Sequence, residues 1–134
     1  MKTIALIEKG NDGTFTIFTP KINSFILGIG DTVKEAKADF ENSVKEVKEA
    51  YMDNNDKLPD ELIDITFEYK YDIASFFNHF NWINVSKFAK KTGINGSLMR
   101  RYKTGEYISE KQVLKIEKCL NELGREMSEI KLTV

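Results

Sequence analysis

The sequence predicts an α+β chain in which a β-β-β-α-β unit is followed by an all-helical one. Three observations predict it. Short β-branched and aromatic runs punctuate the first 71 residues, one long apolar stripe at helical spacing lies between them, and after Tyr71 helical periods take over. The expected units are therefore residues 1–71 and 72–134.

Residues 3–8 and 14–19 are rich in β-branched and aromatic side chains, and Asn11, Asp12 and Gly13 between them supply a tight turn. Pro20 ends the second run. Phe25, Ile26, Leu27, Gly28 and Ile29 form a third apolar run before Gly30, after which Asp31 or Thr32 is expected to cap a helix. Val33, Ala36, Phe40, Val44, Val47 and Tyr51 recur as one helical stripe with Lys and Glu opposite. A polar loop around Asn54, Asn55, Asp56 and Pro59 leads to Ile63, Ile65, Phe67, Tyr69 and Tyr71, which alternate with polar residues and predict a half-buried antiparallel strand.

Asp72 is placed to cap a helix carrying Ile73, Phe76, Phe77 and Phe80. A second helix is expected from Val85 or Ser86 to Thr92, stopped by Gly93, and a third from about Ser97 to Lys103 before Gly105. Ser109 with Gln112 reads as a capping box for a fourth, whose stripe is Val113, Ile116, Leu120, Leu123 and Met127.

The chain has 134 residues, 41% of them hydrophobic, with nine Phe, five Tyr and one Trp, enough to build cores and too many for a disordered chain. One Cys excludes an internal disulfide, and without a Cys/His cluster no metal site is expected. Lys2, Glu8, Lys9 and Asp12 interrupt the first apolar runs, so no signal peptide, spanning segment or membrane partner is expected and the chain reads as cytoplasmic. The net charge of −1 conceals a division. Residues 1–71 carry 9 basic and 14 acidic side chains, a net −5, whereas residues 72–134 carry 11 and 7, a net +4.

The strongest local pattern spans residues 88–105. Ala89 permits a close helix crossing, Gly93 a turn, and Ile94, Met99 and Tyr102 fall where a second helix packs on Phe88 and its neighbours. This is helix-turn-helix spacing. From Ser86 to Lys103 there are six basic residues and no acidic one. Polar and Arg side chains at the start of a recognition helix read major-groove base edges, while flanking Lys side chains meet phosphates. An ordinary pair of packed helices with a solvated basic face is the alternative.

Residues 72–124 resemble the helix-turn-helix of the phage Cro-repressor class, with Phe88, Ala89, Gly93, Ile94, Met99, Tyr102 and Gly105 on its packing and turn positions. The resemblance implies base contacts from Ser97 and Arg101, with Asn95 and Arg100 beside them, and phosphate contacts from Lys87, Lys90 and Lys103. Gly96 departs from it, standing where the class often has a long polar reader.

The first half resembles the HicB antitoxin domain, a truncated ribonuclease-H-like fold. The resemblance rests on the Asn11-Asp12-Gly13 hairpin followed by Phe15-Thr16-Ile17, on Gly28-Ile29-Gly30-Asp31-Thr32, and on Val33-Lys34-Glu35-Ala36. That domain followed by a helix-turn-helix is the layout of many HicB proteins. It implies an antitoxin that blocks a small basic HicA-like toxin, an mRNA-cleaving ribonuclease, and represses its own operon by binding operator double-stranded DNA.

Two other readings compete. One is a helix-turn-helix transcription regulator whose first domain senses a small molecule or protein. The other is a metal-dependent nuclease, which needs converging carboxylates. Residues 4–7 offer none, Asp12 and Asp31 lie in a turn and at a helix start, and Asp64 and Glu68 fit a solvated strand face, so no catalytic residue, cofactor or enzyme activity is expected. His79 and Cys119 read as core or surface residues. Glu35, Asp39, Glu41, Glu46 and Glu49 interleave with Lys34, Lys37, Lys45 and Lys48 as on any solvated helix, while the remaining acidic excess would steer a basic partner. At the C-terminus, Ile130 and Leu132 in an alternating tail are candidates for dimerisation by strand addition, giving a homodimer or higher homo-oligomer.

Overall fold

Gly13, at φ 85°, turns the chain between two antiparallel strands, and the Asp12 carboxylate accepts hydrogen bonds from the Thr14 N–H (3.0 Å) and hydroxyl (2.7 Å) across that turn. The computed structural model describes residues 1–134. Strand β1 (Lys2–Lys9) pairs with β2 (Phe15–Phe18), setting Leu6 opposite Phe18 and Ile7 opposite Ile17. Strand β3 (Leu27–Gly30) pairs antiparallel with β2, and helix α1 (Val33–Asp53) follows. Thr32 is its cap, its hydroxyl accepting from the Glu35 N–H at 3.1 Å, while the Asp31 N–H donates to the Glu35 carboxylate.

Strand β4 (Thr66–Tyr71) completes a mixed four-stranded sheet of order β3-β2-β1-β4. Here the expectation of an antiparallel strand is corrected: β4 runs parallel to β1, with Ala5 beside Tyr69 and Ile7 beside Tyr71. The alternation of side chains is the same for either direction, whereas the crossover through α1 returns the chain to the sheet in the direction of β1. Before β4, a 3-10 turn (Asp60–Leu62) buries Leu62, and Asp64 takes a positive φ of 50°, so that Ile63 faces solvent while Ile65 enters the core.

The core beneath α1 joins Ala5, Ile7, Phe15, Ile17, Ile26, Ala36, Phe40, Leu62 and Ile65, with Val33, Val44, Val47 and Tyr51 of the stripe at its margin. Gly28 and Gly30 allow α1 to lie directly on β3: a Cβ on Gly28 would overlap the backbone N and Cα of Phe40, and one on Gly30 the backbone N of Ala36.

Helix α2 (Ile73–His79) starts at Asp72, whose carboxylate accepts from the Ser75 N–H at 2.6 Å. Assigned by period to the helical half, α2 instead packs on the sheet. The Lys9 N–H donates to Ser75 Oγ, and His79 meets Phe15 edge-on and stacks on Tyr71. The chain accordingly divides into Met1–His79 and Phe80–Val134, with the boundary after His79 rather than after Tyr71.

The second unit contains α3 (Val85–Thr92), α4 (Gly96–Lys103) and α5 (Glu110–Ser128). Ser109 Oγ caps α5 by accepting from the Gln112 N–H, but the reciprocal half of the expected capping box is missing: Gln112 Oε1 is buried without a partner. Of the α5 stripe Ile116 is buried, Val113, Leu120 and Leu123 are half-buried and Met127 is exposed, while Cys119 beside the stripe is buried. Residues 129–134 form no strand, and Ile130 and Leu132 are exposed. No helix is long and apolar enough to cross a membrane.

Replacing Gly28 by Ala forces α1 away from β3, because the added carbon meets backbone rather than a movable side chain. The expected loss is about 2 kcal/mol or more of unfolding free energy in urea denaturation. An unchanged midpoint would contradict this close approach.

Candidate nucleic-acid interface

Helices α3 and α4 are joined by a three-residue turn held by hydrogen bonds on both sides. Asn84 caps α3, its side-chain oxygen accepting from the Lys87 N–H at 2.9 Å. Gly93 ends α3 in the left-handed region at φ 77°, a conformation that costs a side-chain-bearing residue free energy. The Thr92 hydroxyl donates to the Ala89 carbonyl (2.8 Å) and accepts from the Ile94 N–H (3.2 Å), bracing the turn from its side. Asn95 then caps α4, its side-chain oxygen accepting from the N–H groups of Ser97 and Leu98.

Phe88, Ala89, Ile94, Met99 and Tyr102 are all buried and hold the two helices together. Their opposite faces are cationic. Lys87, Lys90, Lys91, Arg100, Arg101 and Lys103 are exposed, and the unit from Phe80 to Val134 carries 11 basic against 6 acidic side chains, a net +5. The unit Met1–His79 carries 9 against 15, a net −6.

The residues singled out for base contact do not behave alike. Arg100 is fastened: Nη1 donates to Ser86 Oγ at 3.2 Å and Nη2 to Ser97 Oγ at 3.1 Å, tying the start of α3 to the start of α4. The side-chain oxygen of Asn95 is committed to its cap. Arg101 lies 3.7 Å from the Glu106 carboxylate, and the Glu106 N–H donates to the Arg101 carbonyl, so the loop after α4 holds this acid against Arg101. Lys87, Lys90 and Lys103 are exposed to solvent. Ser86 and Glu106 were not anticipated from sequence. Glu106 had a signal, being the first acid after a run of six cations; Ser86 had none, because its bond to Arg100 spans 14 residues.

The side chains considered for catalysis are dispersed. No three His, Cys, Asp or Glu side chains converge as metal ligands would. Cys119 is buried, and burial followed by the nearby Glu122 charge pushes its thiol above the ordinary range, with Lys91 opposing, so its thiolate is disfavoured. Glu8, next to the end of β1, has its carboxyl raised by partial burial first, then by the charge of Asp72 and a hydrogen bond with it.

Comparison with protein-family models, curated proteins and solved structures finds no match to this chain.

The raised Glu8 carboxyl has a definite sign. The folded chain binds this proton more tightly than the unfolded chain, so the contribution is full below the unfolded value of 4.5 and is lost as pH rises through the higher folded value. Glu8→Gln is therefore expected to stabilise the chain at neutral pH, by at most about 1 kcal/mol given its exposure, and to have little effect near pH 4. Urea midpoints measured at both pH values test this; a gain confined to acid would contradict it.

Proposed function

We propose that this chain is an antitoxin of the HicB type. In this reading Met1–His79 is a truncated ribonuclease-H-like domain that binds and neutralises a small basic mRNA-cleaving toxin, and Phe80–Val134 is a helix-turn-helix unit that represses the operon by binding operator DNA. The observation that carries it is the braced α3–α4 pair with six exposed cations on a unit of net +5, in one chain with a unit of net −6. The positive surface suits the phosphates of a duplex, and the negative one suits a protein that itself binds RNA.

Within this reading Lys87, Lys90 and Lys103 contact phosphates, and Ser97 and Arg101 face base edges at the start and middle of α4. Arg100, already bonded to Ser86 and Ser97, positions Ser97 and stiffens the edge presented to the groove. Dimers suit two half-sites, and Ile130 and Leu132 in the exposed tail supply apolar side chains for pairing two copies. The fold then works in the cytoplasm, without a cofactor and without catalysis of its own.

Arg101→Ala is expected to weaken operator binding by about 1–3 kcal/mol without lowering the melting temperature. Glu106→Gln, which removes the anion competing with DNA for Arg101, is expected to strengthen it. Fluorescence anisotropy with a duplex from the chain's own promoter reads both, and equal affinities for all three proteins would end the assignment of Arg101. For the other half, co-expression with a short basic protein encoded beside this chain should restore growth that the basic protein alone arrests. The two should also co-purify. Persistent arrest with no complex would remove the antitoxin claim while leaving DNA binding intact.

A further inference from the structure

The sheet of the first unit has two faces, and its helices take only one. Gly28 and Gly30 lie beneath α1, and α2 meets Phe15 and Tyr71, whose pairing positions place them on that same face. On the other face the register aligns two rows. One runs Leu27, Phe18, Leu6, Lys70, and next to it Ile4 stands beside Glu68. Ile29 continues the apolar side along β3, and Phe25 packs on Phe18 with ring centroids 6.1 Å apart. Leu27, Ile29 and Phe25 are 37%, 50% and 67% exposed. Six apolar side chains thus share a face that no helix of this unit covers, an arrangement that marks an interaction surface rather than scattered surface residues.

Its charge indicates what covers it. The unit as a whole is net −6, yet the charged side chains of this face are Lys2 and Lys70 against Glu8, Glu68 and the Asp72 that pairs with Glu8, a net of only −1. A basic partner finds no attraction here beyond that of the rest of the unit, and a nucleic acid finds none. Two copies of a strongly acidic unit, by contrast, repel least where each is locally closest to neutral.

The order of residues adds a geometric argument. A two-fold axis perpendicular to the strands, passing between the row of Leu6 and Lys70 and the row of Ile4 and Glu68, lays β1 over β1 and β4 over β4 in reversed direction. It brings Leu6 onto the partner's Ile4, Lys70 onto the partner's Glu68, and the Phe18, Phe25 and Leu27 cluster onto its own image. Apolar meets apolar and each charge meets its opposite, twice, as self-complementary isologous contacts require. We infer that this sheet face is a self-association surface that binds a second copy of this chain through such a two-fold contact. A patch of this size holds two copies weakly on its own, so the association is concentration-dependent. The inference is independent of the proposed antitoxin and DNA-binding roles, because neither toxin nor DNA enters its test.

The test is sedimentation equilibrium of the full chain across a concentration series at low ionic strength, with circular dichroism to verify folding. Glu68→Lys alone and Lys70→Glu alone each set like charges against each other and should weaken association about tenfold. The double variant Glu68→Lys with Lys70→Glu should recover wild-type association, and mixing the two single variants should restore an affinity that neither shows alone. Ile29→Glu, at an exposed site on the edge strand, should weaken association without any such rescue. A wild-type chain that stays monomeric, or masses indifferent to these substitutions, would overturn the inference. So would a double variant weaker than either single one, which would indicate an unlike partner.

Discussion

The contact on which the first unit depends is the approach of α1 to β3 without side chains between them. Gly28 and Gly30 let the helix backbone rest on the strand, and the helix then drives Ala36 and Phe40 into the core. The same approach brings the carboxylates of α1 to the strand's outer edge. The Ile29 N–H donates to Asp39 Oδ2 at 2.8 Å, and the Asp31 N–H donates to Glu35. Two donors along this edge, one in β3 and one just beyond it, are thereby occupied, which disfavours strand addition there. Because α1 is spent on one face, the opposite face carries no helix of this unit.

The second unit is organised by a different constraint, a short turn that must reverse one helix onto the next. Gly93 supplies the positive φ, Thr92 bonds on both sides of it, Asn95 caps the new helix and Arg100 ties the two helix starts together, so the spacing of the cations on α3 and α4 is held by the turn and these side-chain bonds. Pre-organisation of this kind lowers the ordering cost of meeting a rigid partner. Glu106 is the counterweight: its N–H donates to the Arg101 carbonyl, and its carboxylate lies 3.7 Å from the guanidinium and offsets part of the positive charge there.

What could be read from the sequence follows the range of the interactions involved. The Asn11-Asp12-Gly13 hairpin, the stripe of α1 and the α3–α4 spacing are set by neighbours a few residues apart, and each was legible. The direction of β4 was not, because strand alternation is blind to direction and its partner β1 lies more than 60 residues away. The Ser86–Arg100 bond was likewise hidden, and with it the difference between Arg100, held by two serine hydroxyls, and Arg101, which faces Glu106. Among the expected site residues, burial of Phe88, Ala89, Ile94, Met99 and Tyr102 followed from the helix-turn-helix spacing, whereas the state of each exposed cation required the fold.

Helix α2 shows why period and membership in a core are separate properties. The change from alternation to helical spacing at Tyr71 correctly announced a helix, but the side chains of that helix find their partners behind them: Ser75 accepts from the end of β1, and His79 fits against Phe15 and Tyr71. Moving the boundary to His79 transfers Asp72, the one charged residue in that interval if His is neutral, to the acidic unit. The opposition between the units widens from −5 and +4 to −6 and +5. A partition drawn by packing thus separates the charges more completely than one drawn by sequence period. That is the result expected if each unit's surface is matched to a partner of opposite sign and the whole-chain balance near zero is only their sum.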